Sequence, residues 1–147
     1  MMMTKKQVAV IEDLFTVAPE EPALIVSRCK KCGSLAFPRR PYCTNPDCEK
    51  KTENVEVIKV GGRGKLWSWT VQMYPPPEPF RMEPFEPFPI GMVEMENGLK
   101  VLGMLTTDRN VRIGMDLALT TRQLYEDGEN VYMTWAWRPI ETAGEEK

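Results

Sequence analysis

The 147 residues predict a mainly β chain in three parts: an N-terminal helical arm, a metal-held ribbon, and a small five-stranded closed barrel. Three observations carry this. All four cysteines fall between Cys29 and Cys48, as two close pairs. After Asn54, β-branched and aromatic residues alternate with polar ones between glycine-marked turns. Before Pro19, apolar residues recur instead at helical spacing. The expected limits are 1–23 for the arm, 24–54 for the ribbon, 55–140 for the barrel and 141–147 for a short, charged, disordered tail.

The arm is expected over Thr4 to Phe15. Thr4 with Gln7 matches a capping box. Val8, Ile11, Leu14 and Phe15 make one apolar stripe, and Pro19 and Pro22 end any helix. The stripe has two destinations: the chain's own domain, or another protein.

Leu24-Ile25-Val26 reads as a short strand into the first metal knuckle. Gly33 after Cys32 suits a knuckle that needs φ > 0, with its amide aimed at a thiolate. Cys43 and Cys48 form the second pair, with Asn45-Pro46-Asp47 as a turn between them. Two cysteine pairs on two loops are the layout of a zinc ribbon. Iron is the alternative metal, since four thiolates also hold iron. A closed four-sulfur site leaves no position for reactive water, so the metal is expected to be structural.

The barrel half begins with alternation over Val55 to Val60, broken by Gly61-Gly62-Arg63-Gly64. That run lacks the Gly-Lys-Ser/Thr ending of a phosphate loop and suits a bend or bulge. Lys65 to Tyr74 is a long strand with Trp67, Trp69, Val71 and Met73 expected on one face. Pro75 to Pro89 is a proline-rich loop holding seven of the thirteen prolines. Ile90 to Glu96 and Leu99 to Thr106 form a hairpin about Asn97-Gly98. A Gly114-Met115 turn follows. Asp116 to Leu124 and Asn130 to Arg138 form the last strand pair.

Composition sets limits. Arg28 to Lys65 holds ten Lys or Arg against four acids, and Leu66 onward seven against thirteen. The positive charge near the cysteines has a simple use: Lys30, Lys31, Arg39 and Arg40 would offset the negative four-thiolate cage. No run approaches the ~20 apolar residues of a membrane span. No signal peptide is read at the N-terminus, and clustered thiols suit a reducing cytoplasm. With no histidine, four cysteines expected on metal, and acids in turns, no catalytic residue is nominated.

The order of parts resembles a known family with an N-terminal helical arm, a rubredoxin-like zinc ribbon and an OB-fold. Its members are accessory proteins of thiolase-superfamily enzymes that handle acyl-CoA. The resemblance rests on Cys29-Lys-Lys-Cys32-Gly33, Phe37-Pro38-Arg39, Cys43 and Cys48. It continues in Gly62-Arg63-Gly64-Lys65-Leu66-Trp67-Ser68-Trp69-Thr70, Pro89-Ile90-Gly91-Met92-Val93-Glu94 and Ile113-Gly114-Met115. Family members join a thiolase to a hydroxymethylglutaryl-CoA synthase, partner steroid side-chain aldolases, or form the small subunit of benzoylsuccinyl-CoA thiolase in anaerobic toluene breakdown. The Cys43 to Cys48 spacing, four residues where two are usual, most resembles the last group.

The resemblance implies a non-catalytic subunit in a hetero-oligomer, with a structural Zn2+ on Cys29, Cys32, Cys43 and Cys48. A CoA ester would lie at the interface with a thiolase-like partner. Arg39, Arg40, Arg63 and Lys65 are candidates for its phosphates. Val8, Ile11, Leu14, Phe15, Phe80, Met82, Phe85 and Phe88 are candidates for the partner interface or an acyl-channel wall. For the loop aromatics the simpler expectation is a loop folded back over one barrel end. Three other functions stay open: an acyl-CoA aldolase subunit, a self-contained scaffold that binds another protein without CoA, and a single-stranded nucleic-acid module stacking bases on Trp67, Trp69, Trp135 and Trp137. The acidic barrel half argues against the last.

Overall fold

The computed structural model describes residues 5–17, 21–49 and 51–140. Ten strands build two sheets. In chain order they are β1 Lys6–Ala9, β2 Phe15–Thr16, β3 Ala23–Cys29, β4 Leu35–Ala36, β5 Val55–Val60, β6 Arg63–Gln72, β7 Phe88–Met95, β8 Lys100–Leu105, β9 Asp116–Glu126 and β10 Asn130–Pro139.

Five strands close the barrel. β6, β7 and β8 run as an antiparallel meander, β8 lies parallel to β10, β10 pairs antiparallel with β9, and β9 returns to β6. The β8–β10 seam is short, joined only at Ala136↔Met104 and Trp137↔Leu105. Leu66, Val93, Val101, Leu117 and Trp137 are buried inside, as the period-two pattern requires. The Asn97-Gly98 turn forms as expected, with the Gly98 amide donating to the Met95 carbonyl at 2.9 Å. The Ile113-Gly114-Met115 turn is sewn to β6: Gly114 donates to the Leu66 carbonyl at 2.7 Å, and Leu66 donates to Met115 at 3.0 Å.

The second sheet is the ribbon. β3 is its centre, with β5 along one edge and β2 and β4 sharing the other. The stretch 55–60, expected with the barrel, pairs instead with β3 from Val60↔Leu24 to Val55↔Cys29. Alternation marks a strand but not its partner, so pairing was not legible in the pattern.

The expected helical arm is not a helix. Residues 6–9 form β1, parallel to β10 from Lys6↔Asn130 to Ala9↔Met133. Val10 continues the ladder by donating to the Met133 carbonyl at 2.8 Å. The chain then turns through Asp13 at φ 72° into β2. Val8, Val10 and Ile11 are β-branched and favour a strand. β10 meets β8 only at Ala136 and Trp137, so its first half offers a bare edge that β1 fills. Thr4, the proposed cap, lies outside the described residues.

A bulge changes the long strand too. Leu66 pairs with Val93 but Ser68 with Met92, so the alternation slips by one across Trp67. Trp67 and Trp69 therefore do not share the single face their spacing predicts.

Candidate metal centre and adjoining apolar cleft

The end of β3 carries Cys29, and a tight turn brings Cys32 beside it. Gly33 makes that turn at φ 82°, a conformation cheap only for glycine. Its amide donates to the Cys29 carbonyl at 2.7 Å rather than to a thiolate, and Cys29 N donates to Ser34 O at 2.9 Å. On the facing loop, Asn45 Oδ1 accepts from Asp47 N at 2.9 Å, the side-chain turn expected between the second pair.

These loops bring all four sulfurs within 4.8 Å of one another. Cys29 and Cys48 Sγ are 3.8 Å apart, and Cys32 and Cys43 Sγ 3.5 Å. A tetrahedron with metal–sulfur bonds of about 2.3 Å has edges of about 3.8 Å. The donor set therefore fits four-coordinate zinc, and no carboxylate among the described residues joins it. The environment splits the thiols. Ser34, through its hydroxyl 3.2 Å away and its amide, draws Cys32 down to about 6, while burial pushes Cys48 up to about 12. A cation that replaces the Cys48 proton removes that penalty. Lys31, expected to offset the cage charge, also pairs with Glu49 at 3.0 Å.

Beside the ribbon lies an apolar cleft of about 570 Å³. Four separate segments wall it: Ile11 and Leu14, Phe37 and Pro38, the loop residues Pro76, Pro77 and Phe80, and the outward side of β7–β8 with Met92 and Leu102. Trp135 is the hub. Its ring meets Phe15, Phe37 and Phe80 edge-on, with centroids 5.7, 5.3 and 5.8 Å away, and its Nε1 donates to Leu102 O at 2.8 Å. One indole thus fastens the N-terminal segment, the ribbon and the proline-rich loop to the barrel. It fits there because position 103 is glycine: a Cβ would lie 3.0 Å from both Trp135 Cδ1 and Trp137 Nε1.

The candidate interface residues divide. Phe15 is in the main core, and Met82 and Phe88 are buried in a second cluster with Met104, Leu124 and Ala136. The loop is folded back over the barrel, the simpler of the two expectations. Val8, Ile11, Leu14, Phe80 and Phe85 remain half-buried, and Ile11, Leu14, Phe80 and Phe88 converge on the cleft. The four basic candidates do not share a site. Arg39 and Arg40 line a ribbon cleft, and Arg39 pairs with Asp13 at 3.6 Å. Lys65 is held by Asp116 at 2.7 Å. Arg63 lines a different cleft, with Arg138.

Sequence reasoning missed Trp135 as the hub. The available signal was Gly103 in mid-strand, which marks a close approach. The second stacking pair also dissolves, because Trp137 is wholly buried and Trp135 is ringed by aromatics.

Two family models match: the ChsH2 rubredoxin-like zinc ribbon domain over residues 16–53 and the ChsH2 C-terminal OB-fold domain over residues 57–122. The chain is 35% identical over 126 residues to a DUF35 domain-containing scaffold protein of Methanocaldococcus jannaschii, across 83% of this chain and 85% of that one. It is 45% identical over 49 residues to the benzoylsuccinyl-CoA thiolase subunit BbsA of Thauera aromatica, 33% of this chain and 31% of that one. Among solved structures, an Ltp2-ChsH2(DUF35) aldolase matches with a TM-score of 0.59 and 27% identity, over 80% of this chain and 84% of that chain.

Proposed function

The chain belongs to the DUF35 family, a ChsH2-type zinc ribbon joined to an OB-fold, and from that we propose a non-catalytic subunit of a complex that acts on acyl-CoA. The partner is a thiolase-superfamily enzyme that supplies the nucleophile and the acid–base groups. This chain holds the assembly together and shapes the acyl path. Zinc on Cys29, Cys32, Cys43 and Cys48 stiffens the ribbon, and the junction of ribbon and barrel falls at Gly61-Gly62.

One observation carries the reading most: the sulfur-caged ribbon and the proline-rich loop meet on Trp135 and leave a preformed apolar cleft of about 570 Å³. That size is in the range of small-molecule sites. An acyl group crossing from the partner would meet Ile11, Leu14 and Phe80 there. No histidine exists, and with all four thiols on the metal the chain offers neither a free thiol nor an imidazole for thiolase-type chemistry. The likeness to a thiolase subunit and to scaffold proteins supports the reading.

A second reading, an aldolase subunit, is favoured by the solved aldolase neighbour. Affinity purification from the native cell, followed by thiolysis and retro-aldol assays on the purified complex, separates the two. The first predicts acyl-CoA thiolysis by the complex and none by this chain alone. Turnover by the isolated chain, or a native complex without any acyl-CoA enzyme, would overturn the proposal.

A further inference from the structure

Ala118 on β9 has two direct neighbours in the barrel wall, Arg63 on β6 and Arg138 on β10. Direct partners point to the same side of a sheet. Leu117 and Leu119 on either side of Ala118 are buried, and Arg63 and Arg138 are exposed. That side is therefore the outer one. Two guanidiniums flank a single methyl group, with Cα atoms roughly 10 Å apart at two strand spacings. Neither forms an ion pair among the described residues. Asp116, which feels the charge of Arg63, is paired with Lys65 at 2.7 Å.

Both arginines line one concavity of about 520 Å³, floored by Ala118 and bordered by Gly61 and Gly62. The glycines present no side chain on that border. Among the described residues, Glu21 is the one carboxylate lining it. Arginine forks match phosphate oxygens two at a time, and the small floor leaves room for a group of that size.

We propose that Arg63 and Arg138 form a clamp for a phosphate group, carried by an organic phosphate or free in solution. Arg63 thereby separates from Arg39 and Arg40, with which sequence reasoning grouped it, and gains Arg138 as its working partner. The clamp rests on the acyl-CoA reading only for its carrier, since CoA bears phosphates.

The test is titration of the full chain with inorganic phosphate, CoA and 3′-dephospho-CoA, following arginine Nε–Hε NMR signals. Arg63 and Arg138 signals should shift saturably, and Arg39 should not. CoA binding more tightly than free phosphate assigns the clamp to a carried phosphate; equal affinity assigns it to the free anion. Arg63→Gln or Arg138→Gln should weaken binding roughly tenfold or more, with Arg138→Lys losing less and Arg39→Gln losing nothing. Both side chains are exposed, so thermal midpoints should hold. Absent saturation with all three probes, or wild-type affinity in Arg138→Gln, overturns the clamp. An intact acyl-CoA complex alongside either result would leave the function proposed above standing.

Discussion

Replacing Trp135 by alanine tests whether one side chain fastens three segments to the barrel. Burial of a tryptophan removed to alanine costs about 3–5 kcal/mol in a full core, but Trp135 is only half-buried, which lowers the area term. Each of its three edge-on ring contacts adds about 0.5–1.5 kcal/mol beyond area. The bond from Nε1 to Leu102 O contributes about 1 kcal/mol, and its site is exposed enough for water to take over the acceptor. Together these give a loss of about 3–5 kcal/mol, a large part of a small domain's stability of about 5–15 kcal/mol. Trp135→Phe keeps a ring and loses the N–H, so its loss should be nearer 1 kcal/mol. Urea unfolding read by far-UV circular dichroism measures both. Limited proteolysis within residues 75–87 should quicken in Trp135→Ala while bound zinc stays, because the sulfur cage is local. A loss under about 1 kcal/mol for Trp135→Ala, or an unchanged cleavage rate, would refute the hub.

Cys43→Ser or Cys48→Ser should abolish stoichiometric zinc and melt the ribbon while barrel circular dichroism largely persists; metal analysis after gel filtration decides this. Zinc affinity should fall about tenfold or more per pH unit on acidification, because the Cys48 thiol, held up at about 12, must lose its proton to bind; a chelator competition from pH 8 to pH 6 reads it. Gly103→Ala forces a methyl to 3.0 Å from two indoles and should cost about 1–3 kcal/mol by overpacking, measured by the same urea series. Asp127 accepts bonds from Asn130 N, Glu129 N and Tyr132 Oη, which hold its carboxyl below the usual range. Its contribution is present above about pH 4 and fades as pH falls through the lowered value. Asp127→Asn should therefore flatten the acid limb of the stability profile, and an unchanged limb would contradict this.

The sulfur cage was legible because ligand spacing is local: Cys29, Cys32, Cys43 and Cys48 needed no knowledge of the rest of the chain. The Asn97-Gly98 hairpin was legible for the same reason. The N-terminal segment was not, because Val8, Ile11 and Leu14 satisfy a helical stripe while their branching suits a strand, and the free half-edge of β10 decided between them. The bulge at Trp67 escaped for a related reason. A one-residue slip shifts every later side chain, yet nothing in the alternation announces it. The basic candidates were grouped by nearness in sequence. Strand register instead joins Arg63 to Arg138, 75 positions later by number, across Ala118.

Native mass spectrometry of the assembly captured through this chain from its own cells tests the account most directly. The expected result is one zinc per copy of the chain, bound together with an acyl-CoA enzyme of the thiolase superfamily, and no turnover once that enzyme is stripped away. A chain recovered without metal, or in an assembly lacking any acyl-CoA enzyme, would contradict it.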